Sequence, residues 1–325
     1  MKTILKILRN CGVFFMLLFT VACNNNPDSP VPKDTWNYYA SKNGLVNNSV
    51  SDLKFDSQGN LWVGTEFGVS KFSNGTWTNY NTPQGLIYHQ INSLAIDADD
   101  IIWFATPYGV SSFENNSWNS FTTTNGLNYN YAFDVAIDAD NHPWVGLGKG
   151  VSFFNGTEWI NYEKDQGNSL VHNIVRAVVI DDDGNKWFGT EYGISKFNNN
   201  SWTTYLAAVP SADFIVTMFV DSKNRLWVGS LAGVSLFEGA NIIDYSLSDG
   251  LVYDRVDAIS EDQSGIMWFG TQYGASSFDG TTWKSYTTAN GLPDNWITGI
   301  TVDAANNVWF GTKSKGIAQL IRPTI

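Results

Sequence analysis

The chain has 325 residues, 31 of them Asp or Glu against 19 Lys or Arg, for a formal net charge of −12. That balance argues against a nucleic-acid partner, whose phosphates need clustered basic side chains. A hydrophobic share of 43% excludes both a disordered chain and one built mainly of membrane spans. With 29 Gly, 14 Trp, 14 Tyr and 20 Phe but only 15% charged residues, the composition points to short strands joined by many turns.

Lys2, Lys6 and Arg9 precede an apolar run from Val13 to Val21, too short to span a bilayer as a helix. The run ends in Thr20-Val21-Ala22-Cys23, and Asn24, Asn25, Asn26, Pro27 and Asp28 follow. This segment resembles a bacterial lipoprotein signal, with Thr20 where such signals usually have Leu. The resemblance implies cleavage before Cys23 and a diacylglycerol on its thiol. Residues 1–22 are then the signal, 23–34 the lipidated cysteine and a flexible tether, and 35–325 the folded domain. The cleaved part carries three basic residues and no acid, which leaves 16 basic against 31 acidic residues, a charge of −15. Cys11 and Cys23 are the only cysteines, so the mature chain is expected to hold neither an intrachain disulfide nor a thiolate metal cluster. A lipid on Cys23 attaches a domain to a membrane without a spanning helix. Asn24, in place of the Asp that retains lipoproteins at the inner membrane of enteric bacteria, points to the outer membrane of the bacterial envelope.

The rest of the chain is periodic. The tryptophan of Leu61-Trp62-Val63-Gly64-Thr65 recurs at Trp103, Trp144, Trp187, Trp227, Trp268 and Trp309, at intervals of 40 to 43 residues. An aspartate stands six residues before each, from Asp56 to Asp303. A second pattern, W-x-x-[YF], appears at Trp36/Tyr39, Trp77/Tyr80, Trp118/Phe121, Trp159/Tyr162, Trp202/Tyr205 and Trp283/Tyr286, with Ile242/Tyr245 in its place once. Each unit predicts four strands: a, ending just before the Asp (Val50 to Phe55); b, Leu61 to Thr65; c, Gly68 to Phe72; and d, the W-x-x-Y segment. Four strands in about 41 residues is the period of a propeller blade. The last c strand, Gly316 to Leu320, has no d strand after it, whereas Trp36 to Tyr39 is a d strand without a blade. The expected fold is all-β: a seven-bladed β-propeller whose N-terminal strand closes the last blade, removing the exposed edges that template aggregation.

The unit D-x-x-G-x-L-W-V-G-T-x-x-G-V, carried by Asp56, Gly59, Trp62, Gly64, Thr65 and Gly68 and again by Asp181, Gly184, Trp187, Gly189, Thr190 and Gly193, resembles the two-component regulator propeller repeat. The resemblance covers nearly all of residues 35 to 322. It implies kinship with periplasmic sensor propellers of hybrid histidine kinases, common in Bacteroidetes and often tied to glycan sensing. Those sensors join two propellers to a β-sandwich, a membrane span and a kinase. This chain supplies one ring, so no phosphotransfer of its own is expected. The repeat specifies a fold more than a function.

Propeller connections divide between two faces, with d–a loops and b–c turns on one. The d–a loops, such as Ala40 to Ser49, are the long ones, and long loops on a rigid scaffold carry recognition. Eight residues before each repeat Asp stand Asn48, His89, Asn130, Asn173, Asp213, Asp254 and Asn295. The Asn residues read as turn formers. Departures from the repeat mark the candidate ligand-binding rim: Tyr88, His89, Tyr129, Tyr131, His172, Tyr253, Arg255, Asp294 and Trp296. Aromatic faces beside polar side chains suit sugar rings. Phe67, Tyr108, Tyr192 and Tyr273 recur at one b–c turn position and read as packing. Glu66, Lys149, Glu191 and Lys313 in the same turns read as tuning rim charge. The seven Asp read as caps of the a–b turn. Asp97/Asp99, Asp138/Asp140 and Asp181/Asp183 lack the remaining ligands of a calcium loop, so neither metal nor cofactor is expected.

Lyases also use propellers, and their chemistry needs a base beside the substrate. His89, His142 and His172 are the only histidines, in separate units, and no H-E-x-x-H, G-x-S-x-G or P-loop motif occurs. No catalytic residue is assigned. The expected function is a non-enzymatic, membrane-anchored propeller that binds a glycan or oligosaccharide in sensing or uptake. The alternatives are a scaffold docking an envelope protein, which the acidic charge directs to a basic partner patch, and a polysaccharide or streptogramin-type lyase.

Overall fold

The computed structural model describes residues 34–164, 170–198, 200–205, 214–239 and 241–322. The signal segment and Cys23 lie outside them. The described residues form twenty-eight strands in seven antiparallel sheets of four. In blade one these are strand a (Val50–Phe55), b (Leu61–Thr65), c (Gly68–Ser73) and d (Thr76–Tyr80), each paired with the next in sequence.

The repeat Asp explains why the chain turns where it does. Asp56 Oδ1 accepts the amides of Gln58 and Asn60 at 3.1 and 2.8 Å, which closes the a–b turn as expected. Its Oδ2 accepts the indole N–H of Trp62 at 2.9 Å. One carboxylate therefore fixes both the turn and the side chain that packs behind it. The same Asp-to-Trp bond recurs in all seven blades, at 2.8–3.3 Å.

The core lies between blades. Trp62 and Val69 of blade one pack with Leu86, Ile91, Leu94, Phe104 and Phe113, which belong to blade two and the loop that enters it. Strand b approaches the next blade closely: a Cβ on Gly64 would stand 2.5 Å from Ile91, so only glycine fits there.

The ring closes as the strand count requires. Thr35–Tyr39 pairs antiparallel with Ile317–Ile321, Trp36 opposite Leu320 and Tyr38 opposite Ala318. Tyr39 stacks on Trp309 at 5.2 Å, and Trp309 and Ile317 share a core with Val50, Leu53 and Leu61 of blade one. The closing c strand starts at Ile317, one residue later than its sequence pattern indicates.

Each d–a loop after blades one, two, five and seven opens with a short 3-10 turn, such as Ser41–Asn43. Gly44 ends that turn at φ +115, a region that favours glycine. A leucine then anchors the loop: Leu45, Leu86, Leu127, Leu251 and Leu292 are all buried. The Asn position serves this loop. Asn48 Oδ1 accepts the amide of Ser41 at 2.7 Å, and Asn130, Asn173, Asp254 and Asn295 each accept an amide at the start of their own loop at 2.7–2.8 Å. The equivalent Asp213 lies outside the described residues.

Candidate functional site

The d–a loops and b–c turns meet on one rim, where aromatic rings pair within a blade. Tyr88 faces Tyr108 at 6.0 Å, His172 faces Tyr192 at 5.0 Å, and Tyr253 faces Tyr273 at 4.4 Å. These stations sit on blades two, four and six. In each, the first ring comes from the d–a loop and the second from the b–c turn. His89 extends the first station, lying 4.3 Å from Tyr88 and stacking on Phe67 of blade one at 5.5 Å.

The b–c turn aromatics do not pack inward. Phe67, Tyr108, Tyr192 and Tyr273 are 57–59% exposed, the most exposed large rings of the described chain. The turn forces this. Thr65 Oγ1 accepts the amide of Phe67 and donates to Gly68 O, so the two-residue turn stands outward and its ring meets only the d–a loop ring beside it. The same brace holds Tyr108, Tyr192 and Tyr273 through Thr106, Thr190 and Thr271. The packing expectation for these four residues is corrected. Each station spans twenty positions in sequence, a spacing that sequence reading had not used.

The other rim candidates do not form one cluster with the stations. Tyr129 is exposed and packs against Gly148, where a Cβ would come within 2.9 Å of its ring. Tyr131 packs on Phe133 at 4.7 Å. Phe133 and Phe214 sandwich the Arg176 guanidinium at 4.7 and 4.5 Å, and Arg176 Nε donates to Glu191 at 2.9 Å. Arg255 and Trp296 converge on Asp257: Arg255 Nε donates at 2.8 Å and the Trp296 indole at 3.0 Å. Burial pushes the Asp257 carboxyl up against the opposing pull of these two donors. Asp294 accepts the backbone amide and hydroxyl of Ser314 at 3.0 and 2.7 Å, which orders the last b–c turn. Lys313 reaches across the closure to Glu66 at 2.5 Å, and this bond holds the Glu66 carboxyl below the usual range.

Below the rim, the a strands line a central cavity of about 570 Å³. Four residues before the repeat Asp, its wall reads Asp52, Ser93, Asp134, then Ala177, Thr217, Ala258 and Gly299. One side is polar and the other small. Ser93 Oγ lies 2.6 Å from Asp134 and 3.3 Å from Asp52. Asp52 accepts the amide of Leu94 at 3.0 Å and Asp134 that of Val178 at 2.8 Å, so each ties its blade to the next. Burial raises the Asp134 carboxyl to about 6, against the bonds from Ser93 and Val178. Sequence reading missed this triad, although its members are spaced 41 residues apart.

On the opposite face, Asp138, Asp140 and His142 place one ligand atom each within 4.8 Å of one another. Asp138 Oδ1 already accepts the amides of Asp140 and His142, so the group is the ordinary a–b turn.

Residues 44–67 and 291–314 match the family model described as the two component regulator propeller. The chain carries two component regulator propeller repeats. No curated protein matches its sequence. Among solved structures, the chain is similar to the extracellular domain of a protein described as the putative hybrid two component system BT3049 from B. thetaiotaomicron, with 20% identity and a TM-score of 0.77 over 88% of this chain and 42% of that one. It thus spans less than half of that domain. It is also similar to virginiamycin B lyase from Staphylococcus aureus, with 14% identity and a TM-score of 0.72 over 90% of this chain and all of that one. A third is PorZ, a surface component of the type-IX secretion system of Porphyromonas gingivalis, with 15% identity and a TM-score of 0.68 over 86% of this chain and 47% of that one. At these identities the likeness establishes the propeller fold.

Proposed function

We propose that this propeller is a ligand-binding component of a bacterial cell-envelope sensing or uptake system, that its d–a/b–c rim is the binding face, and that the ligand is a glycan. The observation that carries the reading is the set of ring pairs Tyr88/Tyr108, His172/Tyr192 and Tyr253/Tyr273, in each of which the b–c turn ring is exposed and its turn braced by a threonine. Aromatic rings held by a partner ring on one side and open to solvent on the other suit the apolar faces of sugars. Attachment through a lipid on Cys23 would keep the domain at a membrane without a spanning helix. Among the described residues no helix is long and apolar enough to cross a membrane.

The reading is non-enzymatic. His89 is held in the ring stack, His172 Nδ1 accepts the amide of Ile174 at 3.2 Å, and His142 stands on the far face beside Asp138. The test is native electrophoresis through gels containing single polysaccharides. Retardation by any one of them supports the reading, and depolymerisation of one would replace it with the lyase alternative.

The second reading is protein docking on the same rim. The described secretion-system component PorZ shares the fold, and large exposed rings are also the residues that anchor protein interfaces. No retardation by any polysaccharide, with saturable recovery of one envelope protein from detergent-solubilised membranes, would favour it.

A further inference from the structure

The ring pairs are not equivalent. Those on blades four and six are isolated, but Phe67, His89, Tyr88 and Tyr108 run together from the turn of blade one to the turn of blade two, in steps of 5.5, 4.3 and 6.0 Å. This makes an uninterrupted shelf of near-parallel, mutually facing rings, longer than a single pyranose ring, that offers solvent its ring edges and its two end rings. Its two ends, Phe67 and Tyr108, are also its most exposed members.

The charge around the shelf is equally specific. Residues 65–68, 86–92 and 105–109 contain no Lys or Arg, and their only acidic side chain, Glu66, is bound to Lys313. The cations packed at the mouth of the ring are likewise engaged, Arg176 by Glu191 and Arg255 by Asp257. An anionic sugar laid on the shelf would find only the imidazole of His89 and Lys313, which is already paired with Glu66, in a chain of net charge −12. The hydrogen-bonding groups beside the rings are neutral amides: Gln90 donates to Asn92 at 3.2 Å, and Asn92 in turn to Ala132 O.

We infer that the shelf Phe67–His89–Tyr88–Tyr108 is the principal subsite of the rim and that it binds consecutive residues of an uncharged polysaccharide chain. This rests on the glycan reading above and specifies its ligand class. The chain lies along the row, tangential to the ring, with its main apolar contacts on the exposed end rings Phe67 and Tyr108 and lesser ones on the edges of His89 and Tyr88. The stations on blades four and six are secondary.

The test uses the full mature chain in native gels containing galactomannan, mixed-linkage β-glucan or dextran as neutral probes, and polygalacturonate or chondroitin sulfate as acidic ones. Wild type is expected to be retarded by at least one neutral probe and by neither acidic one. The double variant Phe67→Ala/Tyr108→Ala is expected to weaken that retardation by about tenfold or more, from two lost ring contacts. Tyr253→Ala/Tyr273→Ala is expected to change it by less than about threefold. All four side chains are exposed, so thermal melts of both variants should match wild type. Retardation by the acidic probes alone, or equal losses in the two variants, overturns the inference and leaves the glycan reading standing. Retardation by no probe at all, with capture of one envelope protein, removes both.

Discussion

The indole Nε1 of Trp62 donates to Oδ2 of Asp56, six residues earlier, at 2.9 Å, inside a core where Trp62 is 1% exposed. Removing the carboxylate leaves that donor and two turn amides without acceptors. A buried donor left unpaired costs about 1–3 kcal/mol, so Asp56→Ala should lower the unfolding free energy by about 2–4 kcal/mol. Asp56→Asn keeps one acceptor oxygen and should lose about half as much. Urea unfolding of the two variants checks both values.

Closure can be tested by deletion. Without Thr35–Tyr39, strand Ile317–Ile321 becomes an open edge, and Trp309 loses the ring stacked on it. An open edge pairs with other chains. The deletion should lower the melting temperature by about 10 °C or more and produce aggregates by light scattering. A melt within a few degrees of wild type would show that blade seven holds without its fourth strand.

What the sequence made legible was what each repeat settles within itself. The Asp–Trp bond closes within seven residues, so it leaves a periodic mark, and counting strands was enough to locate the closing segment. The rim was only partly legible. A recurring aromatic such as Tyr108 has the same signature whether it packs or is exposed, and the distinction lies in the Thr106 brace that turns it outward. Trp296 and Arg255 stood out as departures from the repeat, but their shared acceptor, Asp257, lies in strand Val256–Glu261, one blade before the loop that carries Trp296. The Asp52–Ser93–Asp134 triad was hidden for a similar reason: its bonds run between blades, 41 residues apart.

The triad gives a pH signature. Asp134 titrates at about 6 in the folded chain, above the value near 3.9 of an unfolded aspartate. The fold therefore favours the protonated form, and stability from this group rises as pH falls from above 6 to below about 4. The size is on the order of 3 kcal/mol. Asp134→Asn turns one of two accepting oxygens into a donor, so it costs stability at pH 4.5, but it removes the pH-dependent part, and its stability relative to wild type should rise by about 2 kcal/mol between pH 4.5 and pH 8. Asp56 acts in the opposite sense. Burial opposes its ionisation, but bonds from Asn60 and Trp62 hold its carboxyl low, so its stabilisation is lost only under more acidic conditions. Comparing wild type with Asp134→Asn by urea unfolding at three pH values isolates the channel group.

Trp296 separates architecture from recognition. Its indole N–H is committed to Asp257, its ring lies 5.8 Å from the Lys313 ammonium, and it takes no part in the Phe67–Tyr108 shelf. Trp296→Phe keeps most of the ring but deprives Asp257 of one donor. Loss of a hydrogen bond to a charged acceptor costs about 1.5–3 kcal/mol when buried, and partial exposure here should bring the loss to about 1 kcal/mol. The Asp257 carboxyl, already raised by burial, should rise further, so the penalty should be larger at pH 8 than at pH 5. Retardation by a neutral polysaccharide should change by less than about threefold. A variant that unfolds as wild type but loses polysaccharide binding would instead move the binding surface from blades one and two to the seventh blade.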